Sequence, residues 1–238
     1  IRVYHRAGFG FEAHIPDDLR AQGVQARDLY EVLISNPEQM EADLGRLAPI
    51  PGDKLTLLHA AAWDSGLYVY LPANVQVDGV IEIIHWFETP GLHCPHTMIV
   101  CEQGSAANIV QSFFSPEGAS VFVLGAVEVF NKPNSDLRHA IVQRMGRESL
   151  FISAVDYEQR RDSRVLSLNV GLGARLGRTV LQHLMTEPGA EARPLGLFFG
   201  DGAQHLDFRT LQDHRVGNTM SDLLYKGALY DEAVSVFS

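Results

Sequence analysis

The sequence predicts a mainly β protein built as a stacked-strand solenoid, and three observations carry that expectation. From Gly66 onward, short apolar runs recur at the roughly 8–12-residue spacing of all-β folds, separated by Gly, Asn, Asp, Ser or Pro. Tight hairpin signals are scarce, with Asp78-Gly79 and Asp201-Gly202 as the exceptions. Strands that succeed one another without two-residue turns favour parallel coiling, in which rungs turn at corners. Before Gly66 the patterning is helical instead, and an open solenoid end needs such a cap. On pattern alone, a sandwich and a barrel stay open as alternatives.

Taken in order, residues 1–16 mix aromatic residues with glycine and receive no assignment. Asp17-Asp18 offer a cap for a short turn at Leu19. Residues 26–35 set Leu29, Val32 and Leu33 at helical spacing. Asn36-Pro37 starts another helix, with proline at its first position and Met40, Leu44 and Leu47 on one face, closed by Pro49 and Pro51. A third helix is expected over 53–62, capped by Asp53, with Leu55, Leu58 and Ala62 inward, and ended by Asp64-Ser65-Gly66. The division expected is a mostly helical segment over 1–66 and a β-helix core over 67–238, incomplete at its C-terminal end. Strands begin at 67–72 and 80–84 and continue through 98–100, 108–110, 121–124, 127–129, 137–142, 150–155, 165–170, 176–184, 195–199, 206–211, 223–224 and 234–237. Alternation is clearest where Leu166, Leu168, Val170 and Leu172 enclose Ser167, Asn169 and Gly171, which predicts that the leucine-bearing face is buried.

With 238 residues, 46% apolar and 20% charged, the chain suits an ordered globular protein of one large domain or two small ones. Nineteen basic against 29 acidic residues leave a net charge of −10, which argues against a nucleic-acid or anionic-membrane binder. Two cysteines give no disulfide framework and fit a reducing cytosol, or a plastid if a transit peptide preceded the sequence. The best apolar run, 121–130, is short for a membrane span and contains Glu128. The sequence begins with Ile1 and ends inside the strand-like Val236-Phe237-Ser238, so it is expected to be a piece of a longer protein with an open rung at its end that pairs with a partner or aggregates.

Few motifs carry chemistry. His85, His93, Cys94, His96 and Cys101 are the one concentration of soft metal-ligand types, yet the spacing fits no zinc-finger or ferredoxin pattern, and the bland alternative is a loop followed by a strand with an inert buried Cys101. Gly171, Gly173 and Gly177 suggest a phosphate loop until Leu176 is found where the dinucleotide fingerprint needs glycine; corner glycines explain them better. The charge-rich stretch 158–164 could contact a partner or an anion, but reads better as a solvated loop between two strands. In 204–214, even positions place Leu206, Phe208, Thr210, Gln212 and His214 on one face, while His205, Asp207, Arg209 and Asp213 share the other. Gln212 and His214 then need hydrogen-bond partners, which stacked rungs supply. Gln204, Asp207 and His214 stand as candidate cofactor contacts.

From about Asp53 onward, the residues resemble the core of the SufB/SufD family of iron–sulfur cluster assembly proteins. The pieces occur in family order. They are Leu58 to Pro72, with Ala60-Ala61-Ala62, Gly66 and Tyr68-Val69-Tyr70-Leu71-Pro72; Ile99-Val100 with Gly104-Ser105 and Ile109-Val110; and Gln204, Asp207, Thr210, His214, Thr219, Ser221, Lys226-Gly227, Leu229 and Val236-Phe237. The Gln-x-x-Asp-x-x-Thr-x-x-x-His form and the short route into the core look more like SufD than SufB. The resemblance implies a right-handed parallel β-helix, a scaffold without catalytic residues, and a complex with a SufB-type protein and the SufC ATPase. It implies a cluster held transiently by the whole complex and no cofactor bound firmly by these residues. The family's SufC-docking region and late Cys/His residues would follow Ser238, so this stretch by itself is expected to be incompetent for cluster assembly. Cys94 and Cys101 do not match the family's cluster-related positions. The competing expectations are a β-solenoid enzyme acting on polysaccharide and a metal-binding module using His93, Cys94, His96 and Cys101.

Overall fold

The computed structural model describes residues 1–41, 43–47 and 54–238. A hairpin of β1 (Arg2–Arg6) and β2 (Gly10–His14) occupies the stretch left unassigned above, followed by α1 (Asp17–Ala21), β3 (Gln25–Asp28), α2 (Leu29–Ser35), α3 (Pro37–Glu41) and α4 (Lys54–Ala62). Then come β4 (Ser65–Leu71), β5 (Gln76–Trp86), β6 (Gly91–His93), β7 (Pro95–Cys101), β8 (Ala106–Phe114), β9 (Val121–Asn131), β10 (Asp136–Arg144), β11 (Leu150–Gln159) and β12 (Arg164–Gly171). The last strands are β13 (Leu176–Met185), β14 (Glu191–Gly200), β15 (His205–His214), β16 (Met220–Ser221), β17 (Leu224–Leu229) and β18 (Val234–Phe237).

Successive strands alternate between two parallel sheets, giving a solenoid of about six turns. Sheet A stacks β5, β8, β10, β12 and β14, ending on β16 and β17; sheet B stacks β4, β7, β9, β11, β13, β15 and β18, with β6 also on β9. The predicted solenoid is therefore the observed fold. At the N-terminal end, β1 adds to β5 in parallel and β2 turns back antiparallel on β1, while β3 lies antiparallel on β4. Antiparallel closure by short strands ends both sheets there.

The helical segment differs in detail from its sequence pattern. Ala26 belongs to β3, and the helix starts later because Asp28 caps it: its carboxylate accepts from the N–H groups of Tyr30 (2.8 Å) and Glu31 (3.4 Å). Pro16, not an aspartate, holds the cap position of α1. Pro37 does open α3, and Leu44 and Leu47 follow it to pack with Leu29, Val32, Met40, Tyr68 and Met98. The expected cap Asp53 and the closing prolines Pro49 and Pro51 lie outside the described residues. In α4 the inward residues are Leu55, Thr56 and the buried His59, while Leu58 and Ala62 are exposed.

The face of β12 is the reverse of the expectation. Val165, Ser167, Asn169 and Gly171 point inward, whereas Leu166, Leu168 and Val170 lie on the outer face and Leu172 is exposed. Space and polar partners decide this, not hydrophobicity. Ser167 donates into the interior, and the absence of a side chain at Gly171 leaves room for Phe208, whose ring would stand 2.7 Å from an added Cβ. The outer leucines share a half-exposed ladder with Ala140 and Leu195 in register across sheet A.

One device repeats in every turn. Asn74, Gly104, Asn134, Asp162, Gly189 and Asn218, spaced 27 to 30 residues apart, all sit at positive φ at the corner leading into sheet A. The N–H of each of the first five bonds to a carbonyl of the next corner, on Gln103, Pro133, Arg161, Pro188 and Asn218 in turn. Asn and Asp tolerate this left-handed conformation better than other side-chain-bearing residues. Ser105, Ser135 and Ser163 then close their corners by donating to the carbonyl three residues back, at 2.7–2.8 Å. The stretch 158–164 is one such corner, not a wholly solvated turn: Glu158 and Gln159 are buried at the end of β11.

Candidate functional site

The sequence candidates do not converge. Gln204 braces a corner, donating to the Ala174 carbonyl (2.8 Å) and accepting from the Asp201 N–H (3.0 Å). Asp207 lies on the outer face of sheet B between Arg209 (3.3 Å) and Arg178 (3.7 Å). His214 is exposed at the end of β15, where its ring nitrogens meet the hydroxyls of Thr219 (2.6 Å) and Ser221 (3.0 Å). His93 contacts the Thr89 carbonyl (2.8 Å), Cys94 is covered beside Asp64, His96 faces outward from sheet B, and Cys101 belongs to the solenoid core. Burial pushes the Cys94 thiol up to about 11 and that of Cys101 up to about 12, with Asp64 and Glu102 respectively adding to the effect. Among the described residues, no three His, Cys, Asp or Glu side chains are grouped to hold a metal ion.

Inside the solenoid, polar residues stack in two hydrogen-bonded ladders, although His5 Nε2, Gln111 Oε1 and His139 Nε2 are buried without a partner among the described residues. Gln111 Nε2 donates to Thr97 Oγ1 and to His85 Nε2, both at 2.9 Å, so His85 carries its proton on Nδ1 and donates to His5 Nδ1 (2.9 Å). Farther along, His183 donates from Nδ1 to Gln159 Oε1 and accepts at Nε2 from the Ser167 hydroxyl, both at 2.9 Å. His183 also stacks on Tyr157 at 4.5 Å, and the Tyr157 hydroxyl bonds His139 Nδ1 (2.9 Å). Burial lowers His139 and His183 to about 3, so both are neutral near pH 7.

The densest ionisable cluster lies elsewhere, on the outer face of sheet B beneath α4 and residues 43–47. Glu128 and Asp156 stand opposite each other on β9 and β11, and Phe130 and Glu158 form the next outward pair. All three carboxylates are buried, Glu128 completely. Glu128 accepts the N–H of Gly45 at Oε2 and that of Leu47 at Oε1, each at 2.8 Å, and meets His96 Nε2 at 3.0 Å. Burial pushes Glu128 up, but His96 and the two N–H groups together hold it below the ordinary carboxylate range. Arg46 lies over Phe130 at 5.0 Å from its centroid and pairs with Glu158. His59 stacks on His96 at 5.4 Å and contacts the Pro95 carbonyl (3.2 Å); burial first, and His96 second, lower it to about 4. Asp156 is driven the other way: burial and the neighbouring Glu128 charge raise it well above its ordinary value. The block thus pairs an ionised carboxylate with one that resists ionisation, and residues 43–47 are strapped across it.

Against this frame of parallel rungs, the family model described as "SUF system FeS cluster assembly, SufBD core domain" matches residues 87–238. The chain belongs to the SufBD family. Similar curated proteins are iron–sulfur cluster assembly SufBD family proteins of Staphylococcus epidermidis (20% identical over 94% of the chain and 47% of that protein) and Staphylococcus saprophyticus (19% over 99% and 49%). A Staphylococcus haemolyticus protein of the same description is 20% identical over 94% of the chain and 47% of its own length. The chain therefore spans about half the length of the curated relatives it matches. Within this SufBD chain, the Glu128–Asp156 block escaped the sequence reading because Glu128 registered only as a break in an apolar run. The available signal was the strand period itself: Glu128 and Asp156 fall on outward positions of strands that pair in register.

Proposed function

We propose that this chain is the core of a SufD-like scaffold subunit, working with a SufB-type protein and the SufC ATPase in iron–sulfur cluster assembly. The observation that carries this reading is the match of the SufBD core model over residues 87–238, which takes in β6 to β18 of the solenoid. The SufD preference rests on Gln204, Asp207, Thr210 and His214 in the spacing given above. The role is architectural. The interior ladders are neutral and hydrogen-bonded, and the rungs give a rigid body against which an ATPase can work. Iron and sulfide are cargo of the assembled complex, with no firm cofactor site on these residues.

Co-expression of the full-length protein with tagged SufC-type and SufB-type proteins tests this. The expected result is a complex containing all three that supports cluster transfer to an apo-ferredoxin. Purification of the tagged pair without this protein would overturn the proposal. A complex in which it replaces the SufB-type subunit would overturn the SufD assignment alone.

A further inference from the structure

We propose that the crevice between α4 and sheet B is a binding site for a primary ammonium group, with Asp156 supplying the counter-charge. The site is independent of the assembly role. The crevice is a cavity of about 30 Å³, bounded by Leu55 and His59 of α4 above and by Ala126, Ala154 and Val180 below. One water needs about 10–15 Å³, so a water-sized head group fits.

Asp156 lines this cavity, is 6% exposed, and makes no hydrogen bond or ion pair among the described residues. A buried carboxyl without a partner is costly, and the cost falls when a complementary group arrives. The surrounding charges specify the sign of that group. Glu128, opposite Asp156, has its negative charge fixed by His96 and two backbone N–H groups. Arg46, the cation nearest on the strap, is committed to Glu158. Arg178 also lines the cavity and its Nε is buried without a hydrogen bond among the described residues, but its backbone stands four positions along from Asp156, its guanidinium faces Asp207 at 3.7 Å, and the charge that acts on Asp156 is that of Glu128. His59 is neutral near pH 7 because burial holds it near 4. The field at Asp156 is therefore negative.

The absence of a three-ligand set among the described residues favours a cation that brings its own hydrogen-bond donors over a bare metal ion. The small apolar floor of Ala126, Ala154 and Val180 suits an alkyl stem. An alkylammonium matches both halves, whether as a free amine or as a lysine side chain. Because burial and Glu128 raise Asp156, ligand binding would expel its proton.

Titration calorimetry of the full-length protein with n-butylammonium chloride, at constant ionic strength, tests the site. Saturable binding is expected, with n-butanol at least tenfold weaker. Asp156→Asn should weaken butylammonium at least tenfold, and Ala154→Leu should do the same by filling the floor while leaving the carboxylate in place. Heats measured in two buffers of different ionisation enthalpy should reveal proton release in the parent and none in Asp156→Asn. Nα-acetyl-lysine N-methylamide separates the sources: affinity equal to butylammonium assigns a lysine side chain, and at least tenfold weaker affinity assigns a free amine. No saturable binding, equal binding of butanol, or an unchanged affinity in Asp156→Asn would overturn the proposal. Asp156→Asn should fold at least as stably as the parent, since it removes an unpartnered buried acid.

Discussion

Acidification should unfold the solenoid through its buried histidines: burial holds His5, His59 and His85 low, and it does the same, separably by mutation, to His139 and His183. Both of the latter are fully enclosed and held near 3, whereas an unfolded histidine titrates near its ordinary value of 6.5. The native state therefore refuses protons that the unfolded state accepts. Stability is fully present above pH 6.5 and falls as pH drops toward the folded values. Each group contributes a slope approaching 1.4 kcal/mol per pH unit across that window. Between pH 6.5 and 4.5 the pair should thus cost about 5 kcal/mol, comparable to the whole stability of many domains. Urea unfolding followed by circular dichroism at half-unit pH steps measures the slope. The double variant His139→Gln/His183→Gln is less stable at pH 7, but its stability should fall less steeply below pH 6.5, by about two protons' worth of slope. Glu128, held below its ordinary range, loses its contribution only when pH falls through the carboxylate range, and Asp156 opposes that loss because its raised value gains stability on acidification. The histidine window is therefore distinct. An identical slope above pH 5 in parent and double variant would refute the assignment.

Three further outcomes are expected. Glu128→Gln should destabilise the fold by about 2–4 kcal/mol and increase hydrogen exchange at the Gly45 and Leu47 amides, because a charged acceptor of two N–H bonds is lost; thermal melts and exchange mass spectrometry check both. Gly171→Ala should cost about 1–3 kcal/mol by forcing Phe208 to move from 2.7 Å, measured by urea denaturation. Cys94 and Cys101, each 1% exposed with thiols raised to about 11 and 12, should resist a thiol-specific reagent at pH 8 in the folded protein and react on unfolding, which a colorimetric thiol assay follows.

The solenoid was legible because its signal is distributed: each rung is a short apolar run, and misplacing one leaves the rest intact. The face of β12 was not, since in a narrow interior Ser167 makes a bond that leucine cannot and Gly171 leaves the room that Phe208 occupies. Strand boundaries suffered for a related reason. Glu158 and Gln159 looked solvated by composition, yet both belong to β11, are buried, and find partners on neighbouring segments. A stronger sign of coiling lay unused in the recurrence of Asn, Gly or Asp at 74, 104, 134, 162, 189 and 218, because no single turn there resembles a hairpin signal. The candidate site was less legible still. Its carboxylates are 28 residues apart, one turn of the coil, and only the register brings them together.

That register also separates two kinds of polar chemistry. The inward histidines are neutral and packed face-on or edge-on against aromatic rings, and each is bonded to a neighbour, so altering them disturbs packing over several rungs. The outward block is built differently. Its anchor, Glu128, is ionised and tied to backbone N–H groups of a segment remote in sequence, while Asp156 beside it stays unpartnered. A ligand that pairs with Asp156 replaces a protonated acid next to Glu128 with an ion pair, without displacing a core side chain. The strap at residues 43–47 depends on that same carboxylate, so occupancy of the crevice and attachment of the strap are energetically coupled, and the coupling is reciprocal. Butylammonium should therefore alter hydrogen exchange at Gly45 and Leu47 in the parent and leave it unchanged in Asp156→Asn; equal exchange in both, at saturating ligand, would show that the two sites are independent.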